Sequence, residues 1–397
     1  MLKRTRAILG MVLPLVWCAL GGCQHQGQGG GATASGEPAN AYSVYVGTFT
    51  GKTSKGIYLL HMDATTGQLS RPELAAIADS PSFLALHPNH KFIYSVNEID
   101  QFNGNRTGSL SSFAVESSSG KLKLLNQQSS GGPGPTHLCI DATGRVVLVA
   151  NYAGGSVASV PVRADGALDE LASIDQRWGT GADKSRQEGP HAHCIYCDPN
   201  NRFALSCDLG LDKVFVYRLD PVHGTISPNN SPFATVAPGS GPRHLAFGKS
   251  GRFVYVNNEM ACTVTAFAYD PDHGRLSEIQ TISTLPQGFT GDKSTAEIMV
   301  HPSGKFLYVS NRGSANSIAV FRIDRQTGRL TLVDHTSTQG RTPRGFGIDP
   351  AGRWLLAANQ DTDNIVVFRI DPQTGRLTPA GVDVQVPTPV CVIFVPQ

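Results

Sequence analysis

The stretch EGPHAHCIYCDP, residues 188–199, sets two histidines two residues apart, His191 and His193, beside two cysteines three apart, Cys194 and Cys197. Imidazole can act as a general base near neutral pH, and imidazole with thiolate can hold zinc. A zinc site with CxxC spacing usually sits on a turn and needs a second ligand pair elsewhere, and the chain has no second CxxC. If the segment is a strand, its side chains alternate between faces. Cys194 and Cys197 then point opposite ways, while His191 and His193 share a face. The expectation is therefore packing cysteines, two candidate working histidines and no metal. The other thiols of the body of the chain, Cys139, Cys207, Cys262 and Cys391, lie mostly inside apolar runs. They are expected to be free and buried, with a Cys194–Cys207 bridge as the first exception to look for.

The elements that must position this segment recur along the chain. PSFLALHPNHKFIYSVNE starts at Pro81, PTHLCIDATGRVVLVANY at Pro135, PHAHCIYCDPNNRFALSCD at Pro190, PRHLAFGKSGRFVYVNNE at Pro242, TAEIMVHPSGKFLYVSNR at Thr295 and PRGFGIDPAGRWLLAANQ at Pro343. Each is an apolar run, a turn, and a second run ending in Asn or Asp. A second half follows, as in VFVYRLDPVHGTIS and IVVFRIDPQTGRLT, where DPxxGxL-type pieces turn between two more strands. Four short strands per unit of roughly 50 residues is the pattern of a β-propeller blade. Near the start, YSVYVGTFTGKTSKGIYLLHMDATTGQLS lacks a first strand; at the end, PTPVCVIFVP is a first strand without a blade. Together they supply a seventh unit. The expected fold is all-β, a seven-bladed β-propeller over residues 41–397, closed by the C-terminal strand joining the first blade. Closure also pairs two edges that would otherwise be exposed.

In a propeller the first strands line the central channel, and their leading residues meet at one mouth. Those places hold His137, His191, His193, Arg243, His244, Glu297 and Arg344, and the ends of the second strands add Glu98, Tyr152, Glu259, Arg312 and Gln360. Any one of them reads equally well as a hydrogen-bonded tie between blades. The whole set does not, because so many ionisable groups at one mouth are costly to desolvate without use. His87, His223, His273 and His301 fall in turns and are assigned to structure.

Lys and Arg number 33 against 31 Asp and Glu, a net charge of +2, and no basic run appears, so nucleic acid is not an expected partner. Lys3, Arg4 and Arg6 precede ILGMVLPLVWCAL, residues 8–20, which is too short for a comfortable membrane span. Leu20-Gly21-Gly22-Cys23 then resembles a lipobox. Residues 1–23 read as a lipoprotein-type signal peptide with Cys23 acylated; an ordinary secretory signal cleaved nearby is the alternative. Residues 24–40 are polar and glycine-rich, a flexible tether. The expectation is an exported monomer, periplasmic or at the cell surface, touching membrane only through the lipid on Cys23.

The pieces YVGTFT at 45–50, RQEGPHAH at 186–193, GPRHLAF at 241–247 with YVNNE at 255–259, AEIMVHPSGKFLYVSNRG at 296–313, and PRGFGIDP with AANQ at 343–350 and 357–360 carry a resemblance. Over nearly all of residues 42–397 the chain resembles the seven-bladed propeller lactonase family, which includes bacterial 6-phosphogluconolactonases and fungal 3-carboxy-cis,cis-muconate lactonizing enzymes. The resemblance implies hydrolysis of a sugar-acid lactone. His191 or His193 and Glu259 would move protons, and Arg243 and Arg312 would hold a small anionic lactone. Arg344, Glu297, His137 and Gln360 would complete the substrate site. No metal or organic cofactor is required. The long insertion LASIDQRWGTGADKSRQEGP, residues 171–190, is expected to form a lid or rim. Two alternatives stand beside this: an exported, non-catalytic propeller that binds a ligand or protein, and a muconate-type cycloisomerase.

Overall fold

The computed structural model describes residues 40–51 and 53–397. The expected signal peptide, the acylation site Cys23 and nearly all of the tether lie outside the described residues. The described chain forms seven four-stranded antiparallel sheets. Blade 1 pairs the C-terminal strand Pro389–Pro396, as its inner strand, with Ala41–Thr48, followed by Gly56–Asp63 and Glu73–Ile77. The register runs from Tyr42 opposite Pro396 to Thr48 opposite Pro389, so the ring closes as expected. Blades 2 to 7 follow in chain order, with inner strands Leu84–Leu86, Pro135–Ile140, Tyr196–Cys197, Pro242–Phe247, Lys293–Val300 and Pro343–Ile348.

Each blade is covered on both faces by its neighbours, which explains why the second strands do not alternate. VVLVAN, FVYVNN and WLLAAN are buried at every position. The apolar clusters lie between consecutive blades: Tyr42, Val44 and Leu60 of blade 1 meet Leu356 and Val367 of blade 7, for example. The recurring DPxxG turns also lock blades together. The Asp270 carboxylate accepts the Asp272 and His273 N–H groups, and Gly274 then takes a positive φ of 62°. A Cβ at Gly274 would stand 2.8 Å from the Phe203 ring of blade 4, so this turn is pressed against its neighbour.

The repeated Asn has an equally definite role. Asn97, Asn151, Asn311 and Asn359 donate their side-chain amides to the carbonyls of Asp79, Ser130, Thr284 and Thr338. These acceptors lie in the linkers leaving the preceding blades, so each bond pins a linker to the end of the next second strand. Blade 4 has Asp208 instead. It pairs with Arg177 in the preceding linker at 3.0 Å, both side chains fully buried.

Inner strands are bulged where they enter the mouth. The register slips between Pro135 and His137, Pro242 and His244, Thr295 and Ile298, and Pro343 and Gly345. A bulge bends its strand and re-aims the extra side chain, here Thr136, Arg243 or Arg344. The continuous inner strand expected over blade 4 is not formed. Only Tyr196–Cys197 pairs as a strand, preceded by a bridge between Ala192 and Asp208. Side-chain bonds stand where the ladder is interrupted: the Cys194 carbonyl accepts the Ser206 hydroxyl at 2.6 Å, and the Ile195 N–H donates to His137 Nδ1 at 3.4 Å. Ala192 faces Asp208 as Pro242 faces Asn258. His193 therefore stands at the bulge position of Arg243, and His191 lies before the strand rather than on a shared face with it.

Cys194 packs toward blade 5 with Leu245 and Val256, while Cys197 packs toward blade 3, its Sγ 3.8 Å from that of Cys139. The two do point opposite ways. All six cysteines of the described residues are free thiols, Cys194 and Cys207 included.

Candidate active site

A cavity of about 480 Å³ opens where the bulged strand ends meet the loops after the second strands. Its cations are Arg186, Lys293, Arg312 and Arg344; its other ionisable walls are Glu98, His193 and Glu259. A larger depression of about 630 Å³ lies among turns of blades 4 and 5, around Arg202, Asp272 and Arg275. The Arg202, Asp272 and Arg275 side chains there are more than half exposed.

Glu259 is the hub of the mouth. Its Oε2 accepts Arg243 Nε at 3.1 Å and pairs with Arg312 Nη2 at 2.9 Å, and its Oε1 accepts Arg186 Nη2 at 2.9 Å. Burial opposes its charge, but Arg312, Arg243 and Arg186 together outweigh burial and hold the carboxyl down, to about 2. Arg243 is lowered too, to about 9, by burial and by the guanidinia of Arg312 and Arg344, against the pull of Glu259 and Glu297. It still carries its charge at neutral pH. Arg344 stacks on Phe49, its guanidinium carbon 5.1 Å from the ring centre.

His193 sits in this cationic field. Burial, Arg243, His244 and Arg344 hold its pKa well below the ordinary 6.5, so the ring is neutral at pH 7. Its Nδ1 is buried without a partner among the described residues, which leaves Nε2 as the nitrogen turned to the cavity. Tyr152 meets it edge-on at 5.4 Å. On the far wall, Glu98 accepts the Ser82 hydroxyl at 2.5 Å; burial raises its pKa, with Arg344 pulling back.

Beneath the cavity the groups form a chain. Arg243 Nη1 stands 3.3 Å from His244 Nε2, and His244 Nδ1 stands 3.0 Å from Glu297 Oε1. Arg243 can only donate, so His244 Nε2 accepts and its proton is on Nδ1, donated to Glu297.

Of the residues singled out from sequence, the fold brings together His193, Glu259, Arg312 and Arg344 on the cavity wall, with Arg243 and Glu297 just below. His191, His137 and Gln360 are not on that wall. His191 is stacked flat on Tyr152 at 4.5 Å, its Nδ1 bound to the Tyr152 carbonyl and its Nε2 to Glu188. His137 is fully buried between Phe83 and Tyr196, with Nδ1 accepting the Ile195 N–H. Gln360 opens a short 3-10 turn, Gln360–Thr362, and is not on the cavity wall. Glu98 and Tyr152, expected at the mouth from the repeat, line the cavity as well, and Arg186 and Lys293 are the additions. Glu98 and Tyr152 directly follow the repeated Asn, as Glu259 and Arg312 do, so their signal was present in the repeat. Arg186, on the insertion, and Lys293 occupy no repeat position and carried none.

The arrangement is suited to holding a small anion beside a neutral imidazole. The sequence model of the family described as "Lactonase, 7-bladed beta-propeller" matches residues 43–394. A 6-phosphogluconolactonase of Bacillus subtilis (strain 168) is 38% identical over 356 residues, spanning 90% of this chain and 99% of the relative. A 6-phosphogluconolactonase of Formosa agariphila is 35% identical over 325 residues, 81% of this chain and 90% of the relative. The solved structure of a periplasmic gluconolactonase from Pseudomonas aeruginosa superposes with a TM-score of 0.84 at 34% identity, covering 89% of this chain and 99% of that one.

Proposed function

The chain belongs to the seven-bladed β-propeller lactonase family and is a lactonase, a carboxylic ester hydrolase of the 6-phosphogluconolactonase kind, and from that premise we propose how its mouth opens a sugar-acid lactone. His193 Nε2 takes a proton from the attacking water. Its neutrality is what a general base needs, and its place at a bulge aims it at the cavity. Arg312 and Arg344 hold the anionic substrate and the developing oxyanion, as fixed planar cations can. Glu259 takes a different part from proton transfer. A carboxylate held near 2 by three arginines is a poor base at neutral pH, and it serves to fix those arginines in place.

The observation that carries this reading is a single neutral imidazole facing a cavity of cations. The test is hydrolysis of 6-phosphogluconolactone and glucono-δ-lactone by wild type, His193→Gln and His191→Gln. Loss of on the order of 10²-fold or more in kcat is expected for His193→Gln, with His191→Gln close to wild type. The opposite ranking, or no effect from either, removes His193 from the mechanism.

We also propose export as a lipoprotein anchored at Cys23. The basic, apolar and Leu-Gly-Gly-Cys segments support it, together with the periplasmic setting named for the Pseudomonas relative. Labelled palmitate should enter the wild-type chain in a bacterial host and fail to enter Cys23→Ala. Equal labelling of both removes the anchor.

A further inference from the structure

We propose that Glu297 holds the proton that the mouth delivers to the leaving ring oxygen, passing it through a small chamber beneath His193. The inference rests on lactone hydrolysis taking place in the mouth. The chamber has room for about one water molecule. It shares Glu98, Thr136, His193 and Arg344 with the mouth cavity, so the two adjoin, and Glu297, Arg243 and His244 form its floor.

Hydrogen-bond directions fix where a proton on Glu297 must be. Oε1 already accepts two N–H groups, His244 Nδ1 at 3.0 Å and the Ile298 amide at 3.0 Å. The His244 tautomer is not free, because Arg243 donates to its other nitrogen. A proton on the carboxyl therefore sits on Oε2, which has no partner among the described side chains and is the oxygen left to face the chamber. Burial pushes Glu297 up to about 7, against Arg243 and the Ile298 amide. The groups packed around it come from every side. Arg243 and His244 approach from blade 5, Tyr196 from blade 4 and Cys391 from blade 1. Glu98, His193 and Arg344 face it across the chamber. The acid form is thus held below about pH 7 and lost above it.

The step balances without another reactant. His193 Nε2 accepts the proton of the attacking water as the new C–O bond forms. The acyl carbon–ring oxygen bond breaks, and Glu297 Oε2–H, through the chamber water, protonates the departing oxygen as a hydroxyl. The imidazolium then returns its proton to the Glu297 carboxylate along the same path, and the hydroxy acid leaves. Glu297 acts through water and is a positioning residue for the proton, whereas His193 is the catalytic residue.

The test is the pH profile of kcat/KM for glucono-δ-lactone with wild type, Glu297→Gln and Glu98→Gln, beside an infrared titration of carboxyl groups. Wild type should lose activity as pH rises through about 7. Glu297→Gln keeps an acceptor for His244 but should lose that limb and on the order of 10²-fold in kcat, with KM little changed. A protonated-carboxyl band titrating through the same range should be present in wild type and absent from Glu297→Gln. If Glu297→Gln does not fold, the wild-type limb and band still decide. A flat wild-type profile, a limb kept in Glu297→Gln, or a limb lost in Glu98→Gln instead overturns the relay alone. A wild type that opens no lactone overturns the functional reading, and the relay falls with it.

Discussion

Replacing Glu259 with Gln should destabilise the propeller, and the amount follows from its ion pairs. The carboxyl has an ordinary pKa of 4.5 and is held at about 2 in the fold. A depression of roughly 2.5 units, at about 1.4 kcal/mol per unit, is about 3 kcal/mol of stability at pH 7. The sign is that of a depressed carboxyl: the contribution is fully present above pH 4.5 and fades as pH falls toward 2. By pH 3 about 1 kcal/mol should remain. The side chain is only 8% exposed, so solvent screening is slight. In Glu259→Gln, Arg243 and Arg312, 3% and 12% exposed, would be left without their counter-ion, which typically costs about 3–5 kcal/mol by itself. For roughly 350 ordered residues the unfolding entropy is about 0.7 kcal/mol per kelvin, so the Tm should fall by about 4–5 °C. Urea denaturation of both proteins at several pH values reads the difference directly. A gap absent at pH 7, or one that stays constant down to pH 3, refutes the picture of Glu259 as a fixed anion and makes it a candidate base again.

The buried Arg177–Asp208 pair joins the linker of blade 3 to blade 4, and Arg177→Met should cost about 3–5 kcal/mol by leaving Asp208 buried and unpaired. The double variant with Asp208→Asn should recover much of that loss in urea denaturation; additive losses would mean the pair is not coupled. At the cavity rim, exposed Lys293 adds one more cation near the proposed anion site, with no side-chain partner among the described residues. Lys293→Gln should raise KM for 6-phosphogluconolactone about 5-fold at low salt, near 1 kcal/mol, and leave KM for uncharged glucono-δ-lactone unchanged. An equal rise for both substrates would place Lys293 away from the phosphate.

The architecture was legible because each blade repeats the same solutions to the same problems. The DPxxG turn is an Asp accepting two backbone N–H groups followed by a residue at positive φ, and both requirements show as letters. The terminal Asn of the second strand pins a linker, so it recurs at the blade period. Ring closure was legible because the two chain ends were complementary fragments of one unit. Blade 4 was not, and the reason is physical. Pro190 looks like Pro242, but it is Ala192, two residues later, that faces Asp208 as Pro242 faces Asn258, and side-chain bonds from Ser206 and to His137 interrupt the ladder beyond it. A two-residue displacement of that kind leaves strand parity intact, which is why His191 and His193 looked equivalent. Bulges hide in the same way, since an extra residue at Thr136, Arg243 or Arg344 has no composition of its own.

Once the bulge positions are aligned, the mouth is a ring of equivalent places filled unequally. Blades 1, 2 and 3 put Val390, Ser82 and Thr136 on the chamber wall; blades 4, 5 and 7 put His193, Arg243 and Arg344 there. The loops after the second strands add Glu259 and Arg312 from blades 5 and 6, against Glu98 from blade 2. A scaffold of seven near-identical blades has no reason of stability to concentrate charge on one arc, because every blade is covered equally by its neighbours. Charge on that arc instead costs desolvation, visible in how far Arg243, Glu297 and His193 are driven from their ordinary pKa values. The asymmetry is what converts a symmetric scaffold into a directional site. In the proposed mechanism an anionic group would be drawn toward blades 5 to 7, with the reacting carbonyl left beside His193, the neutral imidazole that the displaced register of blade 4 turns to the cavity.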